Sequence, residues 1–204
     1  MKNIILVIGA LIFFTGCTNY STELLDVSSQ SESVKPYSNV QPKCMAIMDE
    51  FSVKSDGQTA NISVDFKERF ISEIKKTNIF ERVLDENPLN SSEKITVFSL
   101  DVSENQDTHQ GSNVTKGFFV GLTLWLITPF VYLDYDFDSE MLLNATNPEG
   151  KTRVYKSKSS SSASYQLYAN SQAAGNEARA KALSANINSL MNQIIDDASF
   201  LCSP

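Results

Sequence analysis

Leu133-Asp134-Tyr135-Asp136-Phe137-Asp138-Ser139-Glu140-Met141-Leu142-Leu143 changes character at nearly every step. Successive strand residues point to opposite faces, so Leu133, Tyr135, Phe137, Met141 and Leu143 share one face, and Asp134, Asp136, Asp138 and Glu140 the other. Asn147-Pro148-Glu149-Gly150 is a turn signal. The chain then returns through Lys151, Arg153, Lys156 and Lys158. The pattern predicts a long hairpin with an acidic leg and a basic leg, opposite charges across it fixing the register. The serines at 159–162 are expected on an exposed stretch or bend, with Tyr165-Gln166-Leu167-Tyr168 continuing the strand. The acidic row is not expected to hold a metal. Same-face neighbours on a strand are about 6–7 Å apart, too wide for one compact cation site without added ligands.

Cys44 to Val53 reads as a first strand, Lys54-Ser55-Asp56-Gly57 as a turn, and residues 61–77 as a helix. Phe66, Phe70, Ile71 and Ile74 form its apolar face, and Asn78 closes it. Ile79 to Leu84 and Lys94 to Val102 are further strands. The strand-helix-strand order suggests a right-handed crossover. Residues 103–116 read as a polar loop containing the only histidine, His109, which is expected to be solvated. A last helix from Asn176 to about Leu201 carries Leu183, Ile187, Leu190, Ile194 and Leu201 in a stripe. The expected fold is α/β (α+β): a mixed sheet of about five strands with two helices packed on it, in one domain spanning 43–204, plus an apolar inserted segment.

That segment, Gly117 to Leu133, carries no charge. As a helix it would be about 25 Å long, a little short of the roughly 30 Å bilayer core, and Pro129 would kink or end it. Trp125 and Tyr132 are residue types favoured at membrane interfaces. Core, membrane and subunit contact all remain open for it. Two helices and several half-apolar strands already supply a core, so part of the segment is expected to meet lipid or a neighbouring subunit, through Phe118, Phe119, Leu122, Leu124, Trp125, Leu126 and Ile127.

Lys2 precedes the apolar run Ile4 to Phe14, which fits a signal-peptide core and is too short for a span. Thr15-Gly16-Cys17 follows, and Phe14-Thr15-Gly16-Cys17 resembles the lipobox of bacterial lipoproteins. The resemblance implies export, cleavage of residues 1–16, and a diacylglycerol thioether with an N-acyl chain such as palmitate on Cys17; more than one chain gives stable anchoring. Thr18, rather than Asp, after the cysteine implies transfer to the outer membrane, with the domain facing the periplasm. Residues 17–42, rich in serine, read as a lipidated flexible tether. Cleavage leaves 204 − 16 = 188 residues and, with one lysine gone, moves the formal charge from −7 to −8. So acidic a chain is no nucleic-acid binder, and it meets a membrane through lipid and apolar surface. Export places Cys44 and Cys202 in an oxidising compartment, where a disulfide is favoured over two buried thiols.

The order of lipobox, tether, strand-helix-strand, strand, glycine-containing apolar segment, charged hairpin and C-terminal helix, from about Cys44 to Leu201, is similar to that of the TraT-type surface-exclusion lipoproteins. It is more loosely like the curli secretion lipoprotein's periplasmic domain and the lipoprotein activators of peptidoglycan synthases. Gly121-Leu122-Thr123-Leu124-Trp125-Leu126-Ile127-Thr128-Pro129 also resembles a stretch of small bacterial lipoproteins. In the first two families an inserted segment takes part in ring assembly and contacts or crosses the outer membrane, although TraT's is longer and richer in glycine. No Gly-x-Ser-x-Gly, His-Glu-x-x-His or phosphate-binding glycine loop occurs, so no catalytic residue and no cofactor is expected. The expected function is a non-enzymatic, lipid-anchored envelope protein that assembles with itself or with other envelope proteins. A monomeric tethered binding module for an envelope enzyme is the alternative, and a carboxylate-dependent hydrolase the least favoured.

Overall fold

The computed structural model describes residues 18–24, 34–35, 44–59, 64–85, 95–123, 130–166 and 171–203. The strands are β1 (Thr18–Leu24), β2 (Cys44–Ser55), β3 (Gln58–Thr59), β4 (Phe80–Leu84), β5 (Ile95–Asp107), β6 (Tyr132–Thr146) and β7 (Thr152–Gln166). The helices are α1 (Val64–Lys76), α2 (Gln110–Leu122), α3 (Ser171–Asp196) and α4 (Ala198–Leu201). The sheet runs β1-β7-β6-β5-β2, with β3 and β4 both paired to β2. β2 is parallel to β4 and β5, and the remaining pairings are antiparallel. This is the expected mixed sheet: β2, β4, β5, β6 and β7 are the five strands read from the sequence, extended by β3 and β1.

Turn chemistry closes the elements as their residues dictate. Asp56 and Gly57 both have positive φ, at 51° and 77°, as a two-residue hairpin loop requires. Asn78 ends α1 in the left-handed region at φ 57°. The Asn147 side chain accepts from the N–H groups of Glu149 and Lys151, shaping the β6–β7 turn.

The inward face of β6 is as expected: Tyr135, Phe137, Met141 and Leu143 are buried. Across the hairpin the register differs from the expectation. Thr146 pairs with Thr152, so the basic residues lie within six positions of the turn and the acids six to twelve positions from it. Glu140 alone of the acids meets that leg, opposite Lys158 and in an ion pair with Lys156. Asp138, Asp136 and Asp134 stand opposite Ser160, Ser162 and Ser164.

The serine run is strand, not bend, and half of it is core. Ser157, Ser159 and Ser161 are buried and donate to Asn186 Oδ1, Ala182 O and Ala178 O of α3, at 2.8, 2.7 and 2.6 Å. A helix carbonyl already bonded within its helix keeps a second lone pair, so the Ser159 and Ser161 hydroxyls are satisfied without breaking a turn. Ala174, Ala178 and Ala182 face them, every fourth residue of α3. Small groups on both sides let helix and sheet approach closely. At Gly175 a Cβ would come within 3.3 Å of the Tyr135 ring. Further along, Leu183, Ile187, Leu190, Met191 and Ile194 fill the core. α3 therefore begins earlier than Asn176, and it breaks at Asp197 before α4.

The segment read as a loop over 103–116 is also corrected. Ser103 to Asp107 extend β5, paired with Glu140 to Asp136 of β6. The inward alternation Phe98, Leu100, Val102 simply continues to Glu104, whose buried carboxylate takes both Nε and Nη2 of Arg179. The remainder opens α2. Part of the stretch read as a tether is likewise ordered: β1 pairs with β7 from Thr18↔Tyr165 to Leu24↔Ser159. Lys35 further donates its N–H to Asn192 Oδ1 and pairs with Asp196. The open edge of β7 offers hydrogen-bonding groups that this polar chain can satisfy. Cys44 and Cys202 form the expected disulfide, Cα atoms 5.3 Å apart and 158 positions apart in sequence.

Candidate functional site

Helix α2 stands at the end of the sheet where β6 begins and β7 finishes. β5 delivers it there, because Asp107 is the last paired residue and His109 turns the chain in the left-handed region at φ 48°. The His109 N–H donates to Asp107 Oδ1. One row of α2 then docks on β6. His109 Nε2 lies 2.7 Å from Asp136 Oδ2. Asn113 donates its Nδ2 to Thr108 O and Asp134 O, at 2.7 and 2.9 Å, and accepts the Asp134 N–H. Lys116 Nζ reaches Asp134 Oδ2 at 2.6 Å, and Ser164 Oγ donates to the other oxygen of that carboxylate. Val120, one turn on, is the buried residue of α2. The spacing 109, 113, 116, 120 is one helical face.

The face turned away from the protein is apolar. Val114, Phe118 and Leu122 follow every fourth residue, with Phe119 beside them; they are 71%, 64%, 62% and 55% exposed. Phe130, just before β6, is 80% exposed. These are five of the six large hydrophobic side chains left exposed among the described residues, and they belong to one end of the molecule. The usual amphipathic helix is reversed here: polar groups meet the protein and apolar groups face out. Fully burying such a side chain stabilises by about 1.5–3 kcal/mol, so a cluster of five marks a contact surface rather than scatter.

Electrostatics hold the docked face. The hydrogen bond with Asp136, aided by Asp107, pushes the His109 imidazole above its ordinary value. The hydrogen bond from Lys116, seconded by that from Ser164, holds Asp134 below the usual carboxylate range. His109 keeps 35% of its side chain exposed, as a solvated histidine would, and is in addition the first clasp of α2. The row Asn113, Lys116, Val120 carries the signal at helical spacing, but it straddles a polar stretch that reads as loop and an uncharged one.

The expected contact residues divide. Phe118, Phe119 and Leu122 are exposed on α2. Leu124, Trp125, Leu126 and Ile127 lie outside the described residues, as does Cys17. Val114 and Phe130 join the patch without having been singled out. Backbone register places Thr18 relative to it. Thr18 pairs with Tyr165, and Tyr165 with Leu133, so the residue joined to Cys17 lies two strand spacings, about 10 Å, from the start of β6.

The opposite end of the hairpin carries a shallow cleft of about 420 Å³ lined by Asn147, Lys151, Arg153, Asp197, Phe200 and Ser203. Its charges are already matched. Arg153 pairs with Asp197 and stacks over Phe200, and Lys151 pairs with Glu149. Tyr155 donates to the same Asp197, and burial with that carboxylate pushes its phenol upward. The cleft is a clasp for α4. Among the described residues no group of three or more His, Cys, Asp or Glu could hold a metal ion, and no helix is long and apolar enough to cross a membrane.

No family model matches the chain, and no curated protein matches it. Among solved structures it is similar to the crystal structure of rare lipoprotein B from Shewanella oneidensis, with 14% identity over 74% of this chain and 90% of that one and a TM-score of 0.33. A likeness of that size carries no argument about function.

Proposed function

We propose that the chain is a non-enzymatic lipoprotein of the outer membrane, exported, acylated on Cys17, facing the periplasm, and working by assembly with itself or with other envelope proteins. The observation that carries this reading is β1. The strand starts at the residue after Cys17 and is paired along seven positions with the edge of β7. An anchor at Cys17 therefore holds the sheet close to the membrane, beside the outward apolar face of α2. That close hold, and the docking of Lys35 on α3, favour a fixed assembly component over a module swinging on a long leash. The polar groups near α2 support a structural role: His109 Nε2 meets Asp136, whereas Ser164 donates to Asp134, so the serine and histidine are not arranged as nucleophile and base.

Two measurements test the reading. Acyl labelling in cells is expected for the unmodified chain and lost for Cys17→Ser; equal labelling of both overturns the anchor. The mass of the lipidated protein in detergent is expected to be a multiple of the monomer, or to include a co-purifying envelope protein. A bare monomer retains the anchor and removes the assembly.

A further inference from the structure

We propose that α2 is a second membrane contact, lying flat in the headgroup–acyl boundary of the bilayer that carries the Cys17 acyl chains, with Val114, Phe118, Phe119 and Leu122 turned into it. The proposal rests on the reading of Cys17 as lipidated and deepens it by assigning the surface that meets lipid.

Three observations select a bilayer as the occupant. The first is position. Cys17 is joined to Thr18, whose backbone sits across β7 from the start of β6, and Phe130 and α2 flank that same start. Acyl chains on Cys17 bring a bilayer to this end of the sheet whatever the oligomeric state. The second is length. Thirteen helical residues extend about 20 Å, too short to cross a roughly 30 Å hydrocarbon core but suited to lying in its surface. The third is charge. Cleaved of residues 1–16, with one lysine gone from the −7 of the full sequence, the chain carries a net −8, yet α2 contains no acidic residue. Of the acids nearest to it, Asp107 accepts the His109 N–H, and Asp134 and Asp136 are held by Lys116 and His109. Repulsion from anionic headgroups is thus reduced at this end, while the outward face of the helix supplies apolar contact. A polybasic surface has no part in it.

The test uses the full lipidated protein, with its acyl chains verified by mass, in vesicles of phosphatidylethanolamine and phosphatidylglycerol containing brominated lipids. The chain has one tryptophan, so a Trp125→Phe background accepts a single reporter. Phe118→Trp and Phe119→Trp are two independent reporters on the outward face, and Val154→Trp, an exposed position on β7 near the far turn, is the control. Both α2 reporters are expected to shift to the blue and lose at least half of their emission, more with bromines near the headgroup than at the chain ends. The control is expected to stay unquenched. Blue-shifted but unquenched α2 reporters mean that a second copy or another protein covers the face, and overturn the proposal. So do reporters as solvent-exposed as the control. If mass shows no acyl chains, the anchoring reading fails separately. The same quenching measured on protein added to preformed vesicles still decides whether α2 meets lipid.

Discussion

Helices α3 and α2 pack against the same β6–β7 hairpin in opposite senses. α3 presents alanine and aliphatic side chains to the sheet, and it accepts short buried hydrogen bonds from Ser157, Ser159 and Ser161 of β7 and donates one from Asn186 to Ser139 O of β6. α2 presents His109, Asn113 and Lys116 to the sheet and leaves Val114, Phe118, Phe119 and Leu122 outside. The first arrangement removes apolar surface from water and so stabilises the domain. The second does so only when something else covers the helix. One hairpin thus carries a helix that holds the fold together and a helix held ready for a contact.

The largest expected effect lies beyond the C-terminal end of α3, where Cys202 ties the chain to β2. Closing a loop of 158 positions is worth about 5 kcal/mol in the chain-entropy picture. Reduction should lower the urea midpoint steeply, and both thiols should resist alkylation until the protein is denatured and reduced. Two thiols reactive after denaturation alone would remove the bond. Next come the two apolar faces themselves. Leu190→Ala, in a fully buried position, should cost about 2–5 kcal/mol. Leu122→Ala in unlipidated protein should change stability by no more than about 0.5 kcal/mol. Equal costs in urea unfolding would break the contrast between the helices.

Intermediate in size is the buried charge pair that α3 makes with β5. Arg179→Ala leaves Glu104, 5% exposed on its side chain, without its guanidinium. The arginine is itself about half exposed, which screens the pair, so a loss of about 1–3 kcal/mol is expected. Glu104→Gln in the same background should restore part of it. No loss with Arg179→Ala would mean that water serves the carboxylate equally well.

The docking of α2 should depend on pH within limits set by its two clasps. His109 is raised from 6.5, so its contribution is complete below that value and lost as pH rises through the raised one. Asp134 is lowered from 3.8, so its contribution is complete above that value and lost as pH falls through the lowered one. Amide exchange in α2, corrected for intrinsic rates, should be slowest between about pH 4 and 6.5. His109→Ala should erase only the alkaline limb, and exchange in α3 should show neither limb. The smallest expected effect concerns Ser139, whose buried hydroxyl has no hydrogen-bond partner among the described residues. Ser139→Ala should be neutral or stabilising, by up to about 1 kcal/mol; a clear loss would reveal a partner for it.

Local patterning determined the elements whose physics is local. Period-two alternation from Leu133 to Leu143 determined the inward face of β6, and every-fourth-residue stripes determined α1 and the second half of α3. Asn78, Gly57 and Gly150 determined turns, since few other residues take a positive φ at no cost. Other features depend on distant partners, and the tertiary structure decided them. Ser159 and Ser161 look like solvent-facing residues until Ala178 and Ala182, about twenty positions on, offer their carbonyls. Glu104 reads as loop until Arg179 arrives. The same holds for α2. Its sequence shows that an uncharged stretch must be covered, but Asp134 and Asp136 on β6 decide which face docks. Hydrogen bonds to those carboxylates capture the polar side of the helix and turn the phenylalanines away from the protein, and no reading of α2 by itself contains that choice.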